Sequence, residues 1–171
     1  MFSKENYKDK KSIVIYFSRA DENYAVGYID KGNTEVIAEY IRELINADMF
    51  KVEPKIPYAK YYDTCTIEAK ERQASHNAPI THEIPDLTNY EVIYVGTPVY
   101  WGDMPEELVT ALKDVDFSGK TIRPFTTHEG SGLGNIPNQI KQVCRGGNVT
   151  EGLALWGASV STSRDIVEGW I

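Results

Sequence analysis

Ser12-Ile13-Val14-Ile15-Tyr16-Phe17-Ser18 and, after an intervening loop, Gly32-Asn33-Thr34 are the stretches on which the fold of this chain turns. The first is a near-continuous run of β-formers ending in a hydroxyl, the pattern of a strand buried on both faces of a parallel sheet. The second opens an amphipathic helix, because Ile37, Ile41, Leu44 and Ile45 recur at helical spacing and form one apolar stripe. A strand that delivers Ser18 into a loop, and a loop that ends in Gly-Asn-Thr at a helix start, suit an anion. The unpaired N–H groups of the first helical turn and the positive end of the helix dipole favour negative charge there. Ser, Thr and Asn are also ordinary helix caps, so the anion reading leans on two further loops.

Working outward, the rest of the chain alternates strand and helix. Asp48–Val52 reads as a second strand, stopped by Pro54, and Tyr58–Ser75 as a second helix from the spacing of Tyr58, Tyr61, Tyr62, Cys65 and Ala69. Val92–Gly96 is a strongly apolar third strand. Asp103-Met104-Pro105-Glu106 resembles a capping box, with Leu108, Leu112 and Val115 continuing a third helix. Asp103, Glu106 and Glu107 read as a first turn that complements the helix dipole. Thr121–Thr126 is a fourth strand; Ile136, Ile140, Val143 and Cys144 mark a fourth helix, ended by Gly146-Gly147. Leu153–Trp156 is a fifth strand, and a short last helix from Ser163 turns Ile166, Val167 and Trp170 inward. Trp156 reads as core as well.

Strict alternation of this kind predicts an α/β fold: a three-layer αβα sandwich around a five-stranded parallel sheet of order 2-1-3-4-5. In such sheets a ligand sits beyond the carboxyl ends of the strands, at the switch point between strands one and three. The loops after strands one, three and four therefore converge. The second is Thr97-Pro98-Val99-Tyr100-Trp101-Gly102, where two adjacent large aromatics in a loop are costly to expose unless a flat ligand covers one of them. The third is Thr127-His128-Glu129-Gly130-Ser131-Gly132, whose glycines permit close backbone approach to a ring. Together the loops describe a phosphate plus a flat aromatic heterocycle. His128 reads equally as a polar loop residue, a hydrogen-bond partner of that ring or a proton donor. His76 and His82 read as solvated surface, and no His/Cys/Asp/Glu set has metal-ligand spacing.

The bulk numbers agree with one ordinary domain. The chain has 171 residues, 42% hydrophobic and 25% charged, with a net charge of −7. That charge disfavours a nucleic-acid partner, which asks for a basic face. Cys65 and Cys144 form no CxxC and no disulfide framework. Residues 1–11 are charged, lack a signal-peptide core and read as a mobile extension. No apolar run approaches membrane-spanning length. A cytoplasmic protein with free thiols, monomeric or homodimeric, is the expectation.

At these residues the chain resembles the flavodoxin family, over nearly its whole length from Ser12 onward. Ser18, Gly32, Asn33 and Thr34 are similar to the family's phosphate loop, Thr97–Gly102 to the loop that packs on the isoalloxazine, and Thr127–Gly132 to the loop on its pyrimidine side. The resemblance implies FMN as cofactor and redox partner proteins, a reductase and an acceptor. The family's phosphate loop is short, whereas Arg19–Lys31 interrupts it here, and Arg19 brings a positive charge that the usual motif lacks. The resemblance implies an electron carrier. The alternative is an FMN-dependent NAD(P)H reductase of quinones, nitro compounds or flavins, since Tyr-Trp-Gly after Pro is also similar to reductases of this fold. A phosphoacceptor receiver of this fold would need acidic strand ends and finds Ser18-Arg19 and Thr97-Pro98 instead. A serine hydrolase would need a Gly-x-Ser-x-Gly elbow that Ser18 lacks.

Overall fold

The computed structural model describes residues 5–171. β1 (Ser12–Tyr16) leads into a small hairpin of β2 (Asp21–Asn23) and β3 (Gly27–Ile29), then α1 (Asn33–Ile45) and β4 (Asp48–Lys51). α2 (Tyr62–Ser75), β5 (Val92–Pro98), α3 (Glu106–Leu112) and β6 (Thr121–His128) follow. The chain ends with α4 (Ile136–Val143), β7 (Asn148–Val149), β8 (Leu153–Trp156), a 3-10 turn over Gly157–Thr162 and α5 (Arg164–Trp170).

The main sheet runs β4-β1-β5-β6-β7, with β8 also paired to β6, and every pairing in it is parallel. With β7 and β8 counted as two halves of one edge strand, this is the expected 2-1-3-4-5 order. The edge strand splits next to Pro124 of β6, which has no N–H to donate to a ladder; β7 pairs with Thr121 and Ile122, and β8 with Phe125 to His128. Period-2 alternation sends neighbouring strand residues into two separate cores. Ile13, Ile15, Ile93 and Val95 pack with Leu108, Leu112, Ile136 and Ile140 on one face. Val14, Tyr16, Tyr94 and Phe125 pack with Ile37, Ile41, Val167 and Trp170 on the other. This explains why the strands read as continuous apolar runs. α1 stops at Asn46, which takes the left-handed conformation (φ 55°) and donates its N–H to Arg42 O.

Several boundaries differ from the sequence reading. α2 starts at Tyr62, four residues later than expected, because Tyr58 leaves the helix path to enter the core, where its hydroxyl donates to Glu107 Oε1 at 2.5 Å. α3 ends at Leu112, before Val115. The capping box does not form: Pro105 is the N-cap, with no side-chain cap bond. Nor do Glu106 and Glu107 simply face the helix dipole from solvent. Both are buried; Glu107 is held by Tyr58 and by Arg72 at 3.3 Å, and Glu106 lies 3.0 Å from His76 Nδ1. Trp156 and Ile166 are exposed rather than core, while Val167 and Trp170 are buried as expected. The expected mobile extension lies partly outside the described residues, at 1–4. Within it Tyr7 is buried, its ring covered by the Arg123 guanidinium at 4.2 Å.

Candidate functional site

A cleft of about 430 Å³ opens at the carboxyl ends of β1, β5 and β6. That size suits a small-molecule or cofactor site. Its walls come from all three loops singled out in the sequence, and from two elements the sequence reading did not assign to a site.

The first wall is the β1–α1 connection. Gly32 is its tightest point. A Cβ there would collide with Ser18 Oγ and meet the backbone N and O of Arg19 at 2.8 Å, so only glycine lets the helix start abut the strand end. Ser18 and Gly32 thus shape the cleft from behind and are not in its lining. Ser18 Oγ accepts from Glu35 N–H at 3.0 Å and so takes the role of a helix cap. Asn33 and Thr34 do line the cleft, and their backbone N–H groups have no acceptor among the described residues. The buried Thr34 hydroxyl pairs with that of Thr127 at 2.8 Å, which ties the first loop to the third. Arg19 lines the cleft too. Its Nη atoms donate to the carbonyls of Glu22, of Ala59 at 2.7 Å and of Lys60 at 2.8 Å, while its buried Nε has no partner.

The second wall is Pro98–Gly102, all five residues of which line the cleft. Thr97 is fully buried in β5, its hydroxyl donating to Pro98 O, and stays outside the lining. Tyr100 and Asp103 exchange backbone hydrogen bonds around Trp101 (φ 55°) and Gly102 (φ 82°). Positive φ at both central residues is the signature of a type I′ turn. It is costly for a residue as large as Trp, which is the kind of strain found where a side chain must be held in place. The turn separates the two aromatics. Tyr100 goes inward, edge-on to Phe17 and Tyr58. Trp101 stays 58% exposed, its indole N–H donating to Thr66 O at 2.8 Å and its ring lying 4.7 Å from Lys70 Nζ.

The third wall contributes Thr127, His128, Glu129 and Ser131. Gly130 and Gly132 shape the backbone at positive φ but do not line the cleft; Gly132 O accepts from Thr126 Oγ1. His128 Nδ1 accepts from Gly130 N–H at 2.9 Å, so the proton of the neutral ring sits on Nε2. Burial lowers the His128 pKa, which keeps the ring neutral. Glu129 reaches between Asn33 and the backbone of Gly157, with Oε1 buried and unpartnered. Burial pushes its carboxyl above the usual range, against a hydrogen bond from Ala158 N–H.

The sequence reading missed the fourth side. Asn23 and Tyr24 of the hairpin and Tyr62, Cys65, Thr66 and Ala69 of α2 complete the lining. The helical spacing of Tyr58, Tyr61 and Tyr62 pointed to packing on the sheet, and spacing alone does not tell a helix face that meets the sheet from one that meets a cleft. Burial pushes the hydroxyls of Tyr62 and Tyr100 and the thiol of Cys65 upward, so all stay protonated. None of these three groups is therefore an activated nucleophile. Among the described residues no cluster of three or more His, Cys, Asp or Glu is placed to hold a metal ion, and no helix is long and apolar enough to cross a membrane.

The family model for flavodoxin matches residues 11–171. The chain belongs to the flavodoxin family. Solved structures repeat this family's fold at low identity. A protein from Bacteroides uniformis assigned as a flavoprotein aligns over 94% of this chain and 97% of its own, with 23% identity and TM-score 0.74. One from Bacteroides eggerthii aligns over 93% and 98%, with 22% identity and TM-score 0.70. The flavoprotein from Lactobacillus acidophilus NCFM, in complex with FMN, aligns over 89% and 97%, with 20% identity and TM-score 0.65. No curated protein sequence matches this flavodoxin-family chain.

Proposed function

We propose that this chain binds FMN in the cleft and serves as an electron carrier between redox partner proteins. One observation carries the reading: a single cleft is lined by both anion-seeking groups and an aromatic ring. The Asn33 and Thr34 N–H groups and the Arg19 Nε–H lack acceptors among the described residues. The Trp101 indole is exposed. Glu129 Oε1 is a buried acceptor without a donor. Unpaired buried polar groups of both signs are costly, and a ligand with an anionic phosphate, hydroxyls and a ring N–H satisfies both kinds.

In this reading Asn33, Thr34 and Arg19 hold the phosphate, Trp101 and Val99 cover the ring, and Thr127–Ser131 orient its polar edge. When bound, FMN supplies the one- and two-electron chemistry that no side chain in the cleft offers. The chain's part is to bind, orient and exclude water. His128, kept neutral with its Nε2–H free of the Gly130 contact, is a hydrogen-bond donor rather than an acid. The net charge of −7, and Glu129 when ionised, disfavour further negative charge in the cleft and set a low potential. The acidic surface steers basic partners at low salt. Tyr24 and Tyr62, with ring centres 5.7 Å apart, stand together in the cleft lining. The NAD(P)H reductase is the second reading, and the turnover assay below separates it from the carrier.

The test is titration of the purified protein with FMN, followed by absorbance. Stoichiometric uptake with shifted flavin bands, and no steady NAD(P)H oxidation without an added reductase, is the expected result. Steady turnover of NAD(P)H by the protein alone would overturn the carrier reading, and no uptake by folded protein would overturn the FMN reading.

A further inference from the structure

α2 carries two rows of side chains toward the site. Tyr62, Cys65, Thr66 and Ala69 line the cleft. Lys70 and Gln73 are absent from that lining and reach the Trp101 turn instead. Gln73 Nε2 donates to Tyr100 O at 2.7 Å and to Met104 O at 3.0 Å, so one amide spans the turn from its first residue to the residue after its last. Lys70 Nζ lies 4.7 Å from the centre of the Trp101 ring, and the indole N–H donates to Thr66 O at 2.8 Å. α4 and its lead-in grip the same turn: Asn135 N–H donates to Gly102 O and Met104 N–H donates to Gln139 Oε1, each at 2.8 Å. A turn of this type asks for positive φ at its first central position and ordinarily carries Asn, Asp or Gly there. Trp101 stands there at φ 55°, a strained conformation for a bulky residue. Its indole, 58% exposed, gains little burial in return. Strain of this kind persists only where surrounding contacts over-determine the conformation, and Gln73 and Lys70 supply such contacts from outside the cleft.

We propose that Gln73 and Lys70 are positioning residues for the flavin ring, acting through Trp101. Gln73 holds the backbone of the strained turn by its two carbonyl contacts. Lys70 holds the indole by a cation–π contact with its ring. Together they keep Trp101 in the form that lines the cleft. The consequence is that ring affinity is set from α2, independently of the phosphate: FMN and riboflavin depend on these two side chains equally. The proposal rests on the FMN reading for the identity of the ligand, but not for the hold on Trp101.

The test follows solvent exchange of the Trp101 indole N–H by heteronuclear NMR in the full chain, together with titration by FMN and by riboflavin. The resonance is identified as the one that Trp101→Phe removes, and in the ligand-free wild-type chain it is expected to be protected. Gln73→Leu is expected to speed its exchange and to weaken FMN and riboflavin binding by the same factor, about tenfold. Lys70→Met changes an exposed side chain and leaves folding intact. It should weaken both ligands by about threefold, with Lys70→Arg restoring the wild-type values. Wild-type flavin affinity in both Gln73→Leu and Lys70→Met, whether or not the indole is released, would overturn the proposal. So would a loss confined to FMN, which places the effect at the phosphate, or a loss that Lys70→Arg does not restore. If the wild-type chain takes up neither flavin, the FMN reading fails. The hold on Trp101 then stands where Gln73→Leu releases the indole and falls where it does not.

Discussion

Gly32→Ala tests the geometry on which the site depends. The added methyl would collide with Ser18 Oγ and approach Arg19 N and O to 2.8 Å, against about 3.4 Å for ordinary contact. Rotating the Ser18 hydroxyl away removes one clash but gives up its bond to Glu35 N–H, a loss of about 1 kcal/mol for a helix cap. The backbone clash remains, and roughly 0.6 Å of separation must come from moving the start of α1 away from β1. Overpacking of this kind costs about 1–3 kcal/mol, so the variant should lose about 2–4 kcal/mol in urea unfolding. The shift carries the Asn33 and Thr34 N–H groups with it. FMN affinity should therefore fall by more than about tenfold even under conditions where the variant is fully folded, since each tenfold is only about 1.4 kcal/mol. Isothermal titration on folded protein, paired with the unfolding curve, separates the two effects. A variant with wild-type stability and FMN affinity within about threefold would refute both the close approach and the placement of the phosphate end.

Other expectations follow from the same structure. Arg72→Met strands the fully buried Glu107 carboxylate, leaving it only the Tyr58 hydroxyl, and should cost about 3 kcal/mol in denaturant unfolding. Adding Glu107→Leu to it should recover most of that loss, and a double variant as unstable as the single one would argue against an unpaired charge as the cause. Thr34→Val leaves the buried Thr127 hydroxyl without its 2.8 Å partner and should destabilise the fold by about 1–3 kcal/mol while weakening FMN binding, read by melting and titration. Burial holds His128 below its ordinary pKa of 6.5, so the unfolded chain takes its proton more readily than the folded one. The stability contributed is complete above the unfolded value and declines as pH falls below it. His128→Asn should therefore flatten the fall in stability between about pH 7 and pH 5, and parallel curves for the two proteins would show that the imidazole is not desolvated.

Much of the fold was legible without the structure because period and polarity are local properties. Ser12–Phe17 and Val92–Gly96 are apolar on both faces, which only a doubly covered parallel strand accommodates, and the Ile37–Ile41 stripe closes one of those faces. Strand order then places the loops after β1, β5 and β6 side by side, and Asn33, Thr34, Pro98–Gly102 and Thr127–Glu129 line one cleft as that order implies. What the sequence by itself could not decide were outcomes of long-range competition. Glu106 and Glu107 look like a solvent-facing first turn until Tyr58, Arg72 and His76, each 30 or more residues away along the chain, are brought against them. Tyr100 and Trp101 are chemically alike as neighbours and both line the cleft, but a turn with two positive φ values packs the Tyr100 ring edge-on to Phe17 and Tyr58 and leaves Trp101 exposed. The Arg19–Lys31 insertion has no period at all, and its hairpin exists because the carbonyls of Ala59 and Lys60 and the Tyr62 ring give it something to dock on. Local pattern determines which face of an element is apolar. Only tertiary packing determines which of several adequate partners a charge or a ring finally meets, because that choice depends on groups distant in sequence.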